Sequence, residues 1–350
     1  MKKVSIIITN YNNGEYLKEC LDSILNQSYL EKEIIVVDDA SSDNSVRIIQ
    51  EYVRKNKCVK FYTIDHAGPN AARKLGLKKA NGEYVMFVDS DDFLKAGTIE
   101  VLVEKIEHND VDVVRFESER CSDKKKVAPI LRDDEIERMI YRDDIAKLLT
   151  TGFKLTSVWS KIYRKSLFDN LDIFDLDISF GEDLLVSVET LSKVDKILLI
   201  SNILYYYRDD NNNSLTHFIE KRRIIKNVKD RVFVSSVMLK FIRENIFETE
   251  VKQRAVYEQV KAIWEAIRRL SLVEDYKKKD FAADFADCFS SLDLTDDDFE
   301  ELSQYVRKMK ILDRLKKGNV VLDIARNDID GIWRNFWKYK ALRKIMRRGK

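Results

Sequence analysis

The chain has 350 residues, long enough for two domains, and 45% hydrophobic and 35% charged residues with only 10 Gly and 2 Pro describe a folded, helix-rich protein rather than a disordered one. Four dispersed cysteines, Cys20, Cys58, Cys121 and Cys288, have neither metal-ligand nor disulfide-framework spacing, and no secretory signal precedes Val4, so a reducing cytoplasm is expected. The net charge of +2 conceals an asymmetry, because eight Lys and Arg and no acid follow Asp330, which leaves about −6 for the remainder.

From residue 4 to about 116 the pattern alternates. Short runs rich in β-formers at Val4–Thr9, Glu33–Val37, Val59–Ile64, Tyr84–Val88 and Val111–Phe116 are separated by helical periodicity near 15–27, 43–54, 70–80 and 97–108. Such alternation predicts right-handed crossovers and an α/β fold with a mostly parallel sheet covered by helices. Ligands of these sheets gather beyond the carboxyl ends of the strands. The residues expected there are Thr9-Asn10-Tyr11-Asn12, Asp38 to Asp43, Asp65-His66, and Asp89-Ser90-Asp91-Asp92.

Beyond 118 the signal weakens, with a charged patch at 124–126 and a helix expected near 141–150. A loop ending in Phe180-Gly181-Glu182-Asp183 leads into a helix to about 192, followed by a strand pair at Ile197–Ile200 and Ile203–Tyr207. After about 216 the chain reads as helical through 224–245, 252–272 and 297–316. The longest apolar runs fall far short of the ~20 residues of a spanning helix.

The segment YVMFVDSDDF drives a buried strand into three carboxylates. Two acids two residues apart can turn to one side of a loop and bind Mg2+ or Mn2+ through oxygen, which would relieve their repulsion and leave positions for phosphates. Alternatively the acids decorate the amino end of the helix starting near 97. Asp92 is expected in the turn and the following helix start. The acids Asp38, Asp39 and Asp43 at the neighbouring strand end favour a common ligand crevice.

VSIIITNYNNGEYLKECLDSILNQSY, IIVVDDASSDNS and GPNAARKLGLKKANGEYVMFVDSDDF, in this order, resemble the signatures of family 2 inverting glycosyltransferases of the GT-A fold. The later VWSKIYRKSLF, FGEDLL and YYYRDDNNNSLT are similar to bacterial members that build surface polysaccharides or decorate teichoic acids. The resemblance implies that Thr9 and Tyr11 line the nucleotide pocket and that Asp39 accepts the uracil N–H. It also implies that Arg73 lies near the diphosphate, although Lys74 stands where the family often has Asn. Asp89, Ser90 and Asp91 would form the D-x-D motif, with Asp89 toward ribose and sugar and Asp91 on the metal.

Asp183 matches the catalytic base, with Glu182 orienting the acceptor or holding the loop; the pair could also simply cap the following helix. Arg208, with Ser214, Leu215 and Thr216, resembles a loop that folds over the donor diphosphate, and His217 follows it; an exposed hairpin would look the same. Trp159 and Lys161 are candidates for the acceptor side, Trp159 by stacking on a sugar face or else as core, with Ser160 in place of the usual Asn. His66 and His108 are read as surface or core.

These features imply a UDP-sugar donor, a Mn2+ or Mg2+ cofactor and a surface glycan, lipid-linked oligosaccharide or teichoic acid acceptor. The expected organisation is a transferase domain over 1–218, a helical domain over 219–331 that shapes the acceptor side or mediates homo-oligomerisation, and a basic aromatic tail over 332–350. That tail suits an anionic membrane surface on the cytoplasmic face, although its apolar stripe is not clean and a helix packed on the protein is the other reading. The acidic body argues against nucleic acid. A sugar nucleotidyltransferase should carry a Gly-rich phosphate loop after its first strand, where this chain has TNYNNGEY. A non-catalytic nucleotide-sugar or glycan-binding module is harder to reconcile with intact Asp89, Asp91 and Asp183.

Overall fold

A computed structural model describes residues 1–121, 136–151, 155–178, 180–209 and 221–269, with Thr295 and Asp297. The chain divides into two compact units, Met1–Ile145 with Phe153–Phe218, and Ala146–Gly152 with Ile219–Lys350.

The first unit begins with the expected alternation: β1 (Val4–Asn10), α1 (Leu17–Leu25), β2 (Lys32–Asp38), α2 (Ser45–Lys55), β3 (Val59–Thr63), α3 (Gly68–Lys79) and β4 (Tyr84–Asp89). It continues through β5 (Phe93–Leu94), α4 (Thr98–His108), β6 (Val113–Cys121), β7 (Glu137–Tyr141), α5 (Arg142–Thr151, whose last turns fall in the second unit), β8 (Lys161–Arg164), α6 (Glu182–Leu191) and β9 (Lys196–Arg208). The sheet order is β3-β2-β1-β4-β8-β6-β9-β5, with β7 also paired to β9. β1 to β4 are mutually parallel where they pair, whereas β8 runs antiparallel to both β4 and β6, so the sheet is mixed.

The central parallel strands are continuous apolar runs because both faces are covered. Ile6, Ile8, Ile34, Val36, Met86 and Val88 join Leu17, Leu21, Ile48, Ile99 and Leu102 in one fully buried core. On the opposite face α3 comes so close to β1 that a Cβ on Gly76 would stand 2.4 Å from Ile7 Cγ2. Phe87, Tyr163, Phe168 and Phe174 fill that side with ring contacts between 5.1 and 6.3 Å.

Two expectations change. The anticipated strand pair at 197–207 is one 13-residue strand, β9, because Ser201 and Asn202 fall in a register irregularity against β6 rather than in a turn. β5, β7 and β8, of two, five and four residues, carry too little periodicity to announce themselves. The charged patch at 124–126, the helix expected at 297–316 beyond Asp297 and the tail at 332–350 lie outside the described residues.

In the second unit α7 (Lys221–Asn245) turns through three residues into α8 (Thr249–Arg268). Ile224, Val228, Val232, Met238, Leu239 and Ile242 of α7 and Ala255, Val256 and Ile263 of α8 are buried at three-to-four spacing. Lys147 pairs with Glu248 at 2.6 Å within this unit. No helix among the described residues is long and apolar enough to cross a membrane.

Candidate active site

Parallel pairing brings the strand ends together. Thr9 stands in register with Asp89, and Asn10 with Asp38. Asp38 is fully buried and organises the loop that follows β2, its Oδ1 accepting from Asn10 Nδ2 (2.7 Å) and Ser41 Oγ (2.6 Å) and its Oδ2 from the Ser41 amide (2.8 Å). That frees its neighbour Asp39 to face the other way. The Asp39 carboxylate accepts the amides of Ala67 (2.7 Å) and Gly68 (3.0 Å), and His66 Nδ1 lies 3.0 Å from Oδ2.

Tyr11, 40% exposed, stacks on His66 with ring centroids 4.5 Å apart. An exposed aromatic beside a buried carboxylate suits a flat base that offers an N–H. Asn12 and Ala40, next to Tyr11 and Asp39, have φ of +52° and +59°, a region that non-glycine residues rarely adopt outside constrained sites. His66, expected at a strand end and read as a surface or core residue, is exposed there after β3, beside Asp39.

The D-x-D turn follows β4. The Asp92 amide donates to Asp89 O (3.0 Å), and Ser90 is buried, its Oγ accepting from Asn13 Nδ2 (2.9 Å). Asp92 does not serve the start of α4 as expected. Its buried carboxylate accepts from Tyr205 OH (2.7 Å) and the Arg208 amide (2.8 Å), tying the turn to β9. Burial, then Asp91 and Asp89, hold its carboxyl well above the usual range against those two bonds.

Arg208 also differs from expectation. It closes β9, buried, with its Nε donating to the Asp91 carbonyl (3.1 Å), its guanidinium paired with Glu19 and stacked over Tyr16 (4.6 Å). It stands beside the D-x-D turn as part of the scaffold rather than in a loop above it. Ser214, with Leu215, Thr216 and His217, lies outside the described residues.

Arg73 is the hub of the site. Its guanidinium, 5% exposed, lies 3.0 Å from Asp183 Oδ1, 3.3 Å from Glu182 Oε1 and 3.8 Å from Asp89 Oδ1. Burial would lower its pKa, but Asp183, Glu182 and Asp89 outweigh burial and raise it. The Asp183 contact is not aligned as a directed hydrogen bond, while Oδ2 of Asp183 accepts the Val158 amide (3.3 Å). Gly181 enters α6 at φ +92°, a conformation glycine adopts without a Cβ penalty, and swings Glu182 and Asp183 toward Arg73.

Three carboxylates therefore share one buried cation. Burial pushes the Asp89 carboxyl up to about 7; Arg73 opposes this, and Asp91, Asp183 and Glu182 add to it. The Glu182 carboxyl is likewise raised, by burial and Asp183, against Arg73. Among the described residues no group of three or more His, Cys, Asp and Glu forms a closed metal cage. The donor set nonetheless fits Mg2+ or Mn2+, which a pair of hard carboxylates can hold with positions left for other oxygens. The negative charge that Asp91, Asp183 and Glu182 place around Asp89 is what such an ion would offset.

One of the two acceptor-side candidates is corrected. Lys161 is fully buried in β8, where its Nζ donates to Ser157 O (2.5 Å) and Ser187 Oγ (3.3 Å) and so cannot reach a substrate. Burial pushes it down to about 7, with Asp183 opposing and Arg115 adding. Trp159 is half-buried at the edge of the core, stacked on Tyr205 (4.6 Å) and Tyr207 (5.8 Å).

Comparison with known proteins gives the family of the N-terminal half. Residues 5–172 match the profile described as Glycosyl transferase family 2. The uncharacterized glycosyltransferase EpsJ of Bacillus subtilis is 32% identical over 208 residues, covering 58% of this chain and 60% of EpsJ. The poly(ribitol-phosphate) beta-N-acetylglucosaminyltransferase TarS of Staphylococcus aureus is 29% identical over 59% of this chain but 35% of its own length. The chain thus spans less than two thirds of these curated relatives. In structure, S. aureus TarS 1–349 in complex with UDP-GlcNAc aligns with a TM-score of 0.63 and 21% identity over 99% of this chain and 92% of that one. The Pyrobaculum calidifontis mannosyltransferase PcManGT, in complex with GDP-Man and Mn2+, aligns with a TM-score of 0.51 and 16% identity, over 82% of this chain and 79% of that one.

Proposed function

Residues 5–172 are a family 2 glycosyl transferase domain on a GT-A scaffold, and from that premise we propose that the protein moves a sugar from a UDP-sugar to an acceptor hydroxyl with inversion. The observation that carries this reading is the reach of Arg73, which touches both Asp89 of the D-x-D turn and Asp183 at the start of α6. A donor seated on the turn would then have its anomeric carbon within range of the base.

In this reading Tyr11 packs on the uracil, Asp39 accepts its N–H, and Thr9 and Ser90 line the ribose side. Asp183 takes the proton of the acceptor hydroxyl. The hydroxyl oxygen bonds to the anomeric carbon, and the bond from that carbon to the diphosphate oxygen breaks, its electron pair leaving with UDP. Glu182 and Arg73 hold Asp183 in place, and Arg73 supplies positive charge on the diphosphate side. A divalent cation held by Asp91 and Asp89 would supply charge compensation for the leaving group. TarS and PcManGT, both seen with nucleotide sugars, one of them with Mn2+, support a donor and a metal of these classes.

The transferase domain is assigned to 1–218 and the helical domain to 219–331, with the acceptor a surface glycan, lipid-linked oligosaccharide or teichoic acid. The basic tail at 332–350 attaches the enzyme to an anionic membrane surface. Thermal stabilisation by UDP-sugars with Mn2+, absent with EDTA and weaker with GDP-sugars, is the expected result of a donor panel. Equal stabilisation by GDP-sugars would overturn the uracil assignment.

A further inference from the structure

Lys161 is excluded from the substrate, yet a fully buried ammonium carries a large desolvation penalty and calls for a partner that uses it. Its partners lead to one place. Lys161 Nζ donates to the carbonyl of Ser157 (2.5 Å), and the amide on the other side of that same peptide group, Val158 N–H, donates to Asp183 Oδ2 (3.3 Å).

A peptide group is planar, with its C=O and N–H pointing in opposite directions, so fixing one end fixes the other. When protonated, the amine on the carbonyl also polarises the group and strengthens its N–H as a donor. The second Lys161 contact is with Ser187 Oγ (3.3 Å), one helical turn after Asp183 on α6, and Ser187 in turn donates to Thr156 O (3.0 Å). The lysine therefore ties the turn before β8 and the first turns of α6 into one unit from behind.

Building on the assignment of Asp183 as the base, we propose that Lys161 is a positioning residue for Asp183, acting through the Ser157–Val158 peptide and through Ser187. It touches neither donor nor acceptor. The residue sets the direction of the Asp183 carboxylate, so its loss damages turnover and leaves donor affinity intact. β8 makes the arrangement possible: running antiparallel to β4, it delivers its first residue, Lys161, to the crevice end of the sheet.

The test compares wild type with Lys161→Met, Lys161→Gln and Ser187→Ala by two readouts. Amide hydrogen exchange followed by NMR needs no substrate: Lys161→Met should speed exchange at Val158 by tenfold or more while Ile7 and Ile35 in the central strands stay within twofold. UDP release from UDP-GlcNAc, with water as acceptor, should show kcat reduced tenfold or more with the donor KM within twofold. Lys161→Gln, which keeps a donor without the charge, should recover part of both effects. Should Lys161→Met fail to fold, Lys161→Gln and Ser187→Ala are scored on the same readouts, with smaller effects in the same direction expected.

Unchanged Val158 exchange, or a uniform rise across the central strands, would overturn the inference and leave Lys161 as core filling. Asp183→Asn run in the same release assay keeps the two ideas apart. If it retains full activity the base assignment fails; if it is inactive while the lysine variants behave as wild type, only the role of Lys161 fails.

Discussion

Arg73 holds Glu182, Asp183 and Asp89 around one buried guanidinium, so removing it leaves three carboxylates facing each other without a cation. Arg73→Met should cost about 3–5 kcal/mol, the range for breaking a buried charge pair from one side, measured by urea unfolding. Asp89 makes the complementary prediction. Its carboxyl binds a proton more tightly folded (about 7) than unfolded (about 4), so in metal-free buffer this group's contribution to stability falls as pH rises through that window. Asp89→Asn removes the penalty. Its thermal midpoint should therefore gain on wild type by a few degrees at pH 8 relative to pH 4.5, the effect discounted because 32% of the Asp89 side chain is open to solvent. An equal difference at both pH values would show that Asp89 is not strained by its neighbours. At this scale the motif residues Asp39, Asp89, Glu182 and Asp183 were legible because each sits at a strand or helix end with a characteristic local pattern. Lys161 was misjudged because one motif can face either the crevice or the core, and only the three-dimensional path of β8 decides which.

Among the elements, β1 to β4 and their helices could be read from sequence because parallel strands buried on both faces are unbroken apolar runs bounded by polar turns. β8 could not, since four residues, Lys-Ile-Tyr-Arg, pair antiparallel in the middle of the sheet with two charges in their length. A close inter-element approach, α3 on β1, rests on the missing side chain of Gly76. Gly76→Ala would drive a Cβ to 2.4 Å from Ile7 Cγ2 and should destabilise by about 1–3 kcal/mol, the usual cost of overpacking. A midpoint unchanged in denaturant titration would mean that α3 can slide. A second tie between elements is Glu33 on β2, whose carboxylate takes bonds from Ser5 Oγ, Lys60 Nζ and the Asn81 amide. Burial works to raise its pKa, but those partners pull it down to about 2. Its stabilising contribution is present above about 4.5 and is lost as pH falls toward 2, so Glu33→Gln should flatten that part of the acid-unfolding profile.

For the whole molecule, the mixed sheet supplies a crevice where four strand ends and the start of α6 converge, and the family assignment rests on the same half of the chain. What sequence could not give was the pairing between distant segments: Asp92 with β9, Arg73 with α6, and Asp183 with the turn before β8. Each joins residues 25 to 116 positions apart, and no local periodicity encodes such distances. The basic tail belongs to this scale too. Deletion of 332–350 should release the protein from vesicles containing anionic lipid in a flotation assay, and undiminished flotation would contradict a membrane role.

The central claim is that Asp183 removes the acceptor proton while the donor sits on the turn formed by Asp89, Ser90 and Asp91. The direct measurement is single-turnover sugar transfer by Asp183→Asn beside its UDP affinity in the presence of Mn2+. The expected result is a rate reduced by about 10²–10⁴ with the UDP dissociation constant within a few-fold of wild type. Transfer at the wild-type rate, or loss of UDP binding in parallel with activity, would contradict the account.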